Sequence, residues 1–145
     1  MIEIKVFYDS LPDFENRELS TVHNDIFNVD ENLNDKLSSK NKVMTLVAYN
    51  EGTVVGYKIG YEKSPSTFYS WLGGVAEEYR KHGIAQKLMD RQIEVLKEQG
   101  YKSIQTKTFN KWKSMLILNI KNDFKIIDTI SERGDLAIIL ERNIE

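Results

Sequence analysis

The chain has 145 residues, no cysteine, 41% hydrophobic content and a formal net charge of −2. That length supports one proper core and little more, so a single domain over 1–145 is expected. The missing cysteines exclude disulfides, thiolate metal sites and a cysteine nucleophile, and the charge gives no sign of nucleic-acid binding.

No apolar run approaches the roughly 20 residues that span a bilayer, and Met1–Tyr8 alternates like a strand, not like a leader peptide. A cytoplasmic protein without membrane contact or bound metal is expected. The charge is unevenly spread: Arg80–Lys121 carries ten basic against three acidic residues, whereas Asp9–Lys42 carries eight acidic against four basic. A polyanionic ligand on the basic half and a cationic, amine-bearing substrate near the acidic segment would suit this division.

Ile2, Ile4, Val6 and Tyr8 alternate with Glu3, Lys5 and Phe7, which predicts a strand with one buried face. Asp9–Asp13 breaks it. Between Phe14 and Ser39 the apolar positions Leu19, Val22, Ile26, Phe27, Leu33 and Leu37 fall near helical spacing and predict one or two short helices. His23, among them, reads as a surface or half-buried side chain. Val43–Tyr49, the turn Asn50-Glu51-Gly52 and Thr53–Tyr61 predict a hairpin. Thr67–Val75 is a further strand ending at Gly73-Gly74, a pair that points to a bulge or to close approach of another group.

After a charged turn, Ile84–Gln99 predicts an amphipathic helix with Ile84, Ala85, Leu88, Met89, Ile93 and Leu96 on one face and Gly100 as its stop. Lys102–Thr108 follows as a strand, so the two flanking strands should be parallel. Met115–Phe124 is a second helical stretch, and Phe124–Ser131 and Leu136–Arg142 close the chain as a hairpin around Glu132–Asp135.

The turn carries the chemistry. The first amides of a helix lack intrahelical acceptors and sit at the positive end of the dipole. With Arg80, Lys81 and Gly83 in the turn, that is a phosphate site, since glycine admits the ligand to the backbone. The sequence contains neither a P-loop, nor Gly-x-Gly-x-x-Gly, nor a Gly-x-Ser-x-Gly elbow.

Val75–Ala85 resembles the signature of the GNAT superfamily of acyl-CoA-dependent N-acyltransferases: Gln or Arg, two residues, Gly, one residue, Gly or Ala. Arg80, Gly83 and Ala85 stand in the three defining places. The family also carries an Asn after the fifth strand and a helix ending Leu-Tyr-Glu-Lys-x-Gly-Phe, matched in outline by Asn110 and Met115–Phe124, with Asp123 for the usual Gly. The likeness covers about 43–131.

It implies a mixed α/β sheet of about seven strands flanked by helices, with a splayed central parallel pair. It implies acetyl-CoA as co-substrate, with its pyrophosphate on the loop of Arg80, Lys81, His82, Gly83, Ile84 and Ala85. Its pantetheine arm would lie against Gly74 and Val75, with Asn110 and Ser114 in hydrogen-bonding reach; Asn110 would otherwise cap the helix after it.

An acetyl group would pass to a primary amine of a small molecule or peptide by direct attack in a ternary complex. A base would serve to deprotonate an amine of pKa about 10.4. The family's carboxylate place, eleven residues before Arg80, is Tyr69, which reads as a pocket wall; Glu62 is the nearest acid. The family's acid, a Tyr, is replaced by Asn119, which can donate a hydrogen bond to sulfur but no proton. These departures keep open a non-catalytic acyl-CoA-binding or interaction module. A homodimer is left open.

Overall fold

The computed structural model describes residues 1–145. In chain order it comprises β1 (Ile2–Tyr8), α1 (Asp13–Phe27), α2 (Leu33–Leu37), β2 (Met44–Asn50), β3 (Thr53–Ser64), β4 (Thr67–Val75), α3 (Ile84–Glu98), β5 (Ser103–Phe109), α4 (Lys113–Lys121), β6 (Lys125–Glu132) and β7 (Asp135–Asn143). The strands form one sheet of seven in the order β1-β2-β3-β4-β5-β7-β6. Every neighbouring pair is antiparallel except β4 and β5, whose connection runs through α3.

Local chemistry explains the turns. Glu51 and Gly52 (φ 49° and 85°), like Arg133 and Gly134 (φ 51° and 77°), adopt the left-handed pairs that a tight hairpin needs. Asp123, at φ 68°, ends the segment after α4 in the conformation its short polar side chain tolerates.

Alternation along the strands gives the sheet two buried faces. One packs Met44, Leu46, Phe68, Ile104 and Leu140 against Ile84, Leu88, Met89 and Leu96 of α3. The other packs Val47, Tyr49, Tyr57 and Ile59 against Leu19 of α1 and Leu33 and Leu37 of α2. Helices therefore cover both sides, and any opening in the sheet joins two differently furnished surfaces.

That opening exists. β4 and β5 pair from Thr67↔Ser103 to Ser70↔Thr106 and then part, while β4 continues to Val75 and β5 to Phe109. A bulge starts the divergence: the β3–β4 register steps from Gly60↔Ser70 to Ile59↔Leu72, leaving Trp71 as the extra residue. The glycine pair suggested a bulge at 73–74, whereas the irregularity lies just before it. No helix is long and apolar enough to cross a membrane.

Candidate functional site

Between β4 and α3 the chain makes one 3-10 turn (Glu77–Tyr79) and then leaves its amides free. Arg80 N–H donates to the Glu77 carbonyl, but no amide from Lys81 to Gln86 donates to a backbone or side-chain acceptor. Lys81 and Gly83 are left-handed (φ 65° and 78°), and this alternation turns successive N–H groups into one concavity, a nest for an anion. A Cβ built on Gly83 meets nothing within 4 Å. Lys81 and His82 are exposed beside it, Ile84 is buried as the helix anchor, and Ala85 is half-buried. The sequence-predicted loop residues are thus brought together.

The edge of the opening follows from hydrogen-bond alternation. Ala76 N–H donates to the Val55 carbonyl at 2.8 Å, so the same peptide plane turns the Val75 carbonyl away from β3 and toward the gap. Arg80 Nε donates to that carbonyl at 3.0 Å and ties the loop to the strand end. By the same alternation the backbone of Gly73 faces the gap and that of Gly74 faces β3. Gly74 was expected to line the coenzyme arm; its side-chain position instead lies against α1, where a Cβ would stand 2.5 Å from Ile26 Cδ1. Helix packing accounts for the missing side chain at Gly74, and it is the backbone of Gly73 that faces the gap.

On α4, which packs against β5, Asn119 is only 2% exposed and its side-chain Nδ2 has no partner. An orphaned buried donor costs about 1–3 kcal/mol, so it calls for a ligand or a function. Ser114 and Asn110 are exposed near the start of α4. Asn110 is no cap, because the N-cap position belongs to Trp112. Gln86 of α3 and Asn122 beyond α4 exchange amide hydrogen bonds at 2.7 and 2.9 Å, bracing the two helices that flank this side.

Glu62 and Tyr69, the two residues weighed for proton transfer, lie at different places along the strand pair. Glu62 accepts from Tyr101 Oη at 2.8 Å, lies 3.6 Å from Lys42 Nζ, and pairs in register with Phe68. That is the closed end of the β4–β5 pair, about 17 Å along the strand from Gly73 at 3.3–3.4 Å per residue, so Glu62 does not serve the gap. Tyr69 pairs with Gln105 just before the split, and burial first of all pushes its hydroxyl up to about 12. It stays protonated at neutral pH and is a wall, not a base.

On the α1–α2 face, Tyr69, Tyr61 and Trp71 form a half-exposed aromatic ledge, with Tyr61–Tyr69 and Tyr61–Trp71 centroids 5.4 and 5.5 Å apart. Tyr57 is buried behind it. Its hydroxyl lies 2.7 Å from His23 Nδ1, and His23 Nε2 lies 2.9 Å from Glu31 Oε1. His23 is 3% exposed, deeper than the surface or half-buried placement expected for it. Its partners are 8 and 34 residues away, and short-range periodicity carries no signal for such a connection.

Comparison with known proteins places this geometry. No curated protein matches the chain. Among solved structures, the ribosomal-protein-S18-alanine N-acetyltransferase from Escherichia coli superposes with a TM-score of 0.84 at 13% identity, covering 99% of this chain and 94% of that one. The PaiA N-acetyltransferase of Thermoplasma acidophilum, determined with coenzyme A, gives 0.80 at 17% identity and 99% of both chains. The yncA protein of Salmonella typhimurium, determined with acetyl-CoA, gives 0.78 at 11% identity over 98% and 94%. These likenesses establish the fold. The model of the acetyltransferase (GNAT) family matches residues 6–112, which span β1 through the nest and the parting strands and reach well before the motif-bearing part of the sequence. A chain matched over that extent, with the loop and the opening built from the matched residues, is a member of the acetyltransferase (GNAT) family.

Proposed function

We propose that the protein is an N-acetyltransferase that moves an acetyl group from acetyl-CoA to a primary amine by direct attack in a ternary complex. The observation that carries this reading is the run of unpaired amides from Lys81 to Gln86 beside an opening that joins the two faces of the sheet. Such a run fits a diphosphate, and the orphaned Asn119 Nδ2 fits a ligand reaching into the gap. Acetyl-CoA, when bound, supplies an activated carbonyl and a thiolate leaving group.

The chain's own residues then have distinct tasks. The Lys81–Gln86 amides hold the diphosphate, with Lys81 and His82 adding positive charge at the rim. Arg80 fixes the loop to Val75. Backbone N–H groups of Gly73 and Val75 face the gap, where they orient an arm and stabilise negative charge developing on a carbonyl oxygen. Asn119 donates a hydrogen bond toward sulfur, a modest demand because a thiolate of parent pKa about 8.5 leaves without protonation. Asn110 and Ser114 line the α4 side. The amine, on a small molecule or a peptide, arrives from the α1–α2 face.

With Glu62 held at the closed end and Tyr69 protonated, neither takes the amine proton, which passes to water. The rate therefore follows the fraction of free amine and climbs with pH toward the amine's own pKa of about 10.4. Thiol release measured over an amine panel at several pH values tests this; a plateau near neutrality would reveal an enzyme base and refute the water route. The absence of a carboxylate at position 69 and of a tyrosine at position 119 favours one other reading, a non-catalytic acyl-CoA-binding or interaction module. It predicts coenzyme binding with no thiol release from any amine.

A further inference from the structure

We propose that Glu31 and the aromatic ledge of Tyr61, Tyr69 and Trp71 form a subsite for a second, non-reacting cationic group of the amine acceptor, so that the preferred acceptor is a diamine or a basic peptide. The inference rests on the N-acetyltransferase reading for the identity of the acceptor. The ledge has the right address. Trp71 is the bulged residue immediately past the last β4–β5 pair, and with Tyr61 it packs on the α1–α2 side, opposite the nest.

The chain itself displays what chemistry the ledge accepts. Lys40 Nζ stands 5.0 Å from the ring centroids of both Tyr61 and Trp71, and Lys36 Nζ stands 5.7 Å over Trp71 while donating to Glu31 Oε2 at 2.9 Å. An ammonium over an aromatic face with a carboxylate at its side is the ordinary constellation for holding a cation. Lys40 is exposed and pairs with no carboxylate, so the rings are its partners and a ligand cation can replace it.

Glu31 is built to present one oxygen. Oε1 is anchored inward on His23 Nε2 at 2.9 Å, His23 is braced by the buried Tyr57 hydroxyl, and Oε2 already accepts from the Lys36 ammonium at 2.9 Å, so a ligand ammonium shares that oxygen with Lys36 or displaces it. Hydrogen bonds from Lys36 and then His23 keep this carboxyl below the ordinary glutamate range, so it is charged. The group held here cannot be the one that reacts. The attacking nitrogen must be neutral and at the gap, whereas a nitrogen held by rings and a carboxylate is stabilised as a cation.

Pentane-1,5-diamine is the probe, titrated without coenzyme and followed by Trp71 emission in a Trp112→Phe background, since these are the chain's two tryptophans. Lys40→Met removes the internal occupant and is expected to tighten binding about three- to fivefold, the scale of one exposed cation–π contact. Glu31→Gln is expected to weaken it about tenfold, the scale of a charge-assisted hydrogen bond. Tyr61→Leu, far from the His23 anchor, is expected to weaken it severalfold, with circular dichroism reporting that the fold persists. Equal affinities in the parent, Lys40→Met and Tyr61→Leu proteins would overturn the subsite, as would no saturable response in any of them. Coenzyme A affinity is measured on the same samples by calorimetry. Its absence overturns the acetyltransferase reading, whereas its presence with no response to the diamine overturns the subsite alone.

Discussion

Replacing Gly83 by Glu, with Gly83→Ala as the matched control, tests the nest at its centre. Both variants place a side chain on a residue at φ 78°, which costs about 1–2 kcal/mol for an L-residue and lowers Tm by about 2–8 °C in a chain of this size. Neither meets a steric obstacle, because a Cβ there has nothing within 4 Å. Backbone strain therefore cancels between the two, and the difference isolates the carboxylate. A negative charge about 6 Å from a phosphate charge, at an effective dielectric of about 20, is unfavourable by about 3 kcal/mol, or about two decades of affinity. Calorimetry with coenzyme A at low salt should show a Kd about 100-fold weaker for Gly83→Glu than for Gly83→Ala, with the gap narrowing as salt is raised. Equal affinities would refute the assignment of a diphosphate to these amides, whatever the stability of the variants.

Other expectations follow from single contacts. Gly60→Ala would set a Cβ 2.5 Å from the Tyr69 carbonyl, which is backbone and cannot yield, whereas Gly74→Ala meets only the tip of Ile26 at 2.5 Å; denaturant titration should find the first far more destabilising, and Ile26→Val should relieve the second alone. Glu31 has a folded pKa below 4.5, so its contribution to stability is complete above that value and is lost as pH falls through the folded one; Glu31→Gln should be less stable than the parent at neutral pH, with the difference closing in acid. Desolvation brings the Lys58 ammonium from 10.5 to about 8, so the unfolded chain binds the extra proton between these values and stability should rise with pH across that window. Lys58→Met should abolish this rise and gain about 1–2 kcal/mol at neutral pH, after allowing for water around a half-buried side chain. Asn119→Ala should weaken coenzyme A binding with little loss of stability, because the amide it removes has no partner; a large fall in Tm without change in affinity would make Asn119 structural.

The parts of the fold that were legible in the sequence are those governed by short-range pattern. Alternation marked β1, glycine-bearing turns marked both hairpins, and the 3.6-residue period marked α3 from Ile84 to its stop at Gly100. The loop of free amides was legible for the same reason, since it lies within one turn of chain around Gly83. What escaped depends on contacts between distant segments. Whether the Gly73 or the Gly74 backbone faces the gap is decided by β3 register and by Ile26 of α1. The burial of His23 is decided by Tyr57, and the place of Glu62 by Tyr101 and Lys42 at the closed end of the strand pair. Pairing of this kind leaves no periodic trace in one sequence.

The short ladder between β4 and β5 sets a limit on how far this molecule can be hardened. Extending it along Trp71–Gly73 and Lys107–Phe109 would add hydrogen bonds each worth about 0.5–1.5 kcal/mol net, a sizeable share of the roughly 5–15 kcal/mol that holds a domain folded. Selection for heat resistance alone would thus reward sealing the seam, and each added rung would narrow the passage between the two faces. A screen scoring survival and ligand uptake together should recover stabilised variants whose changes lie everywhere except along those two strand edges.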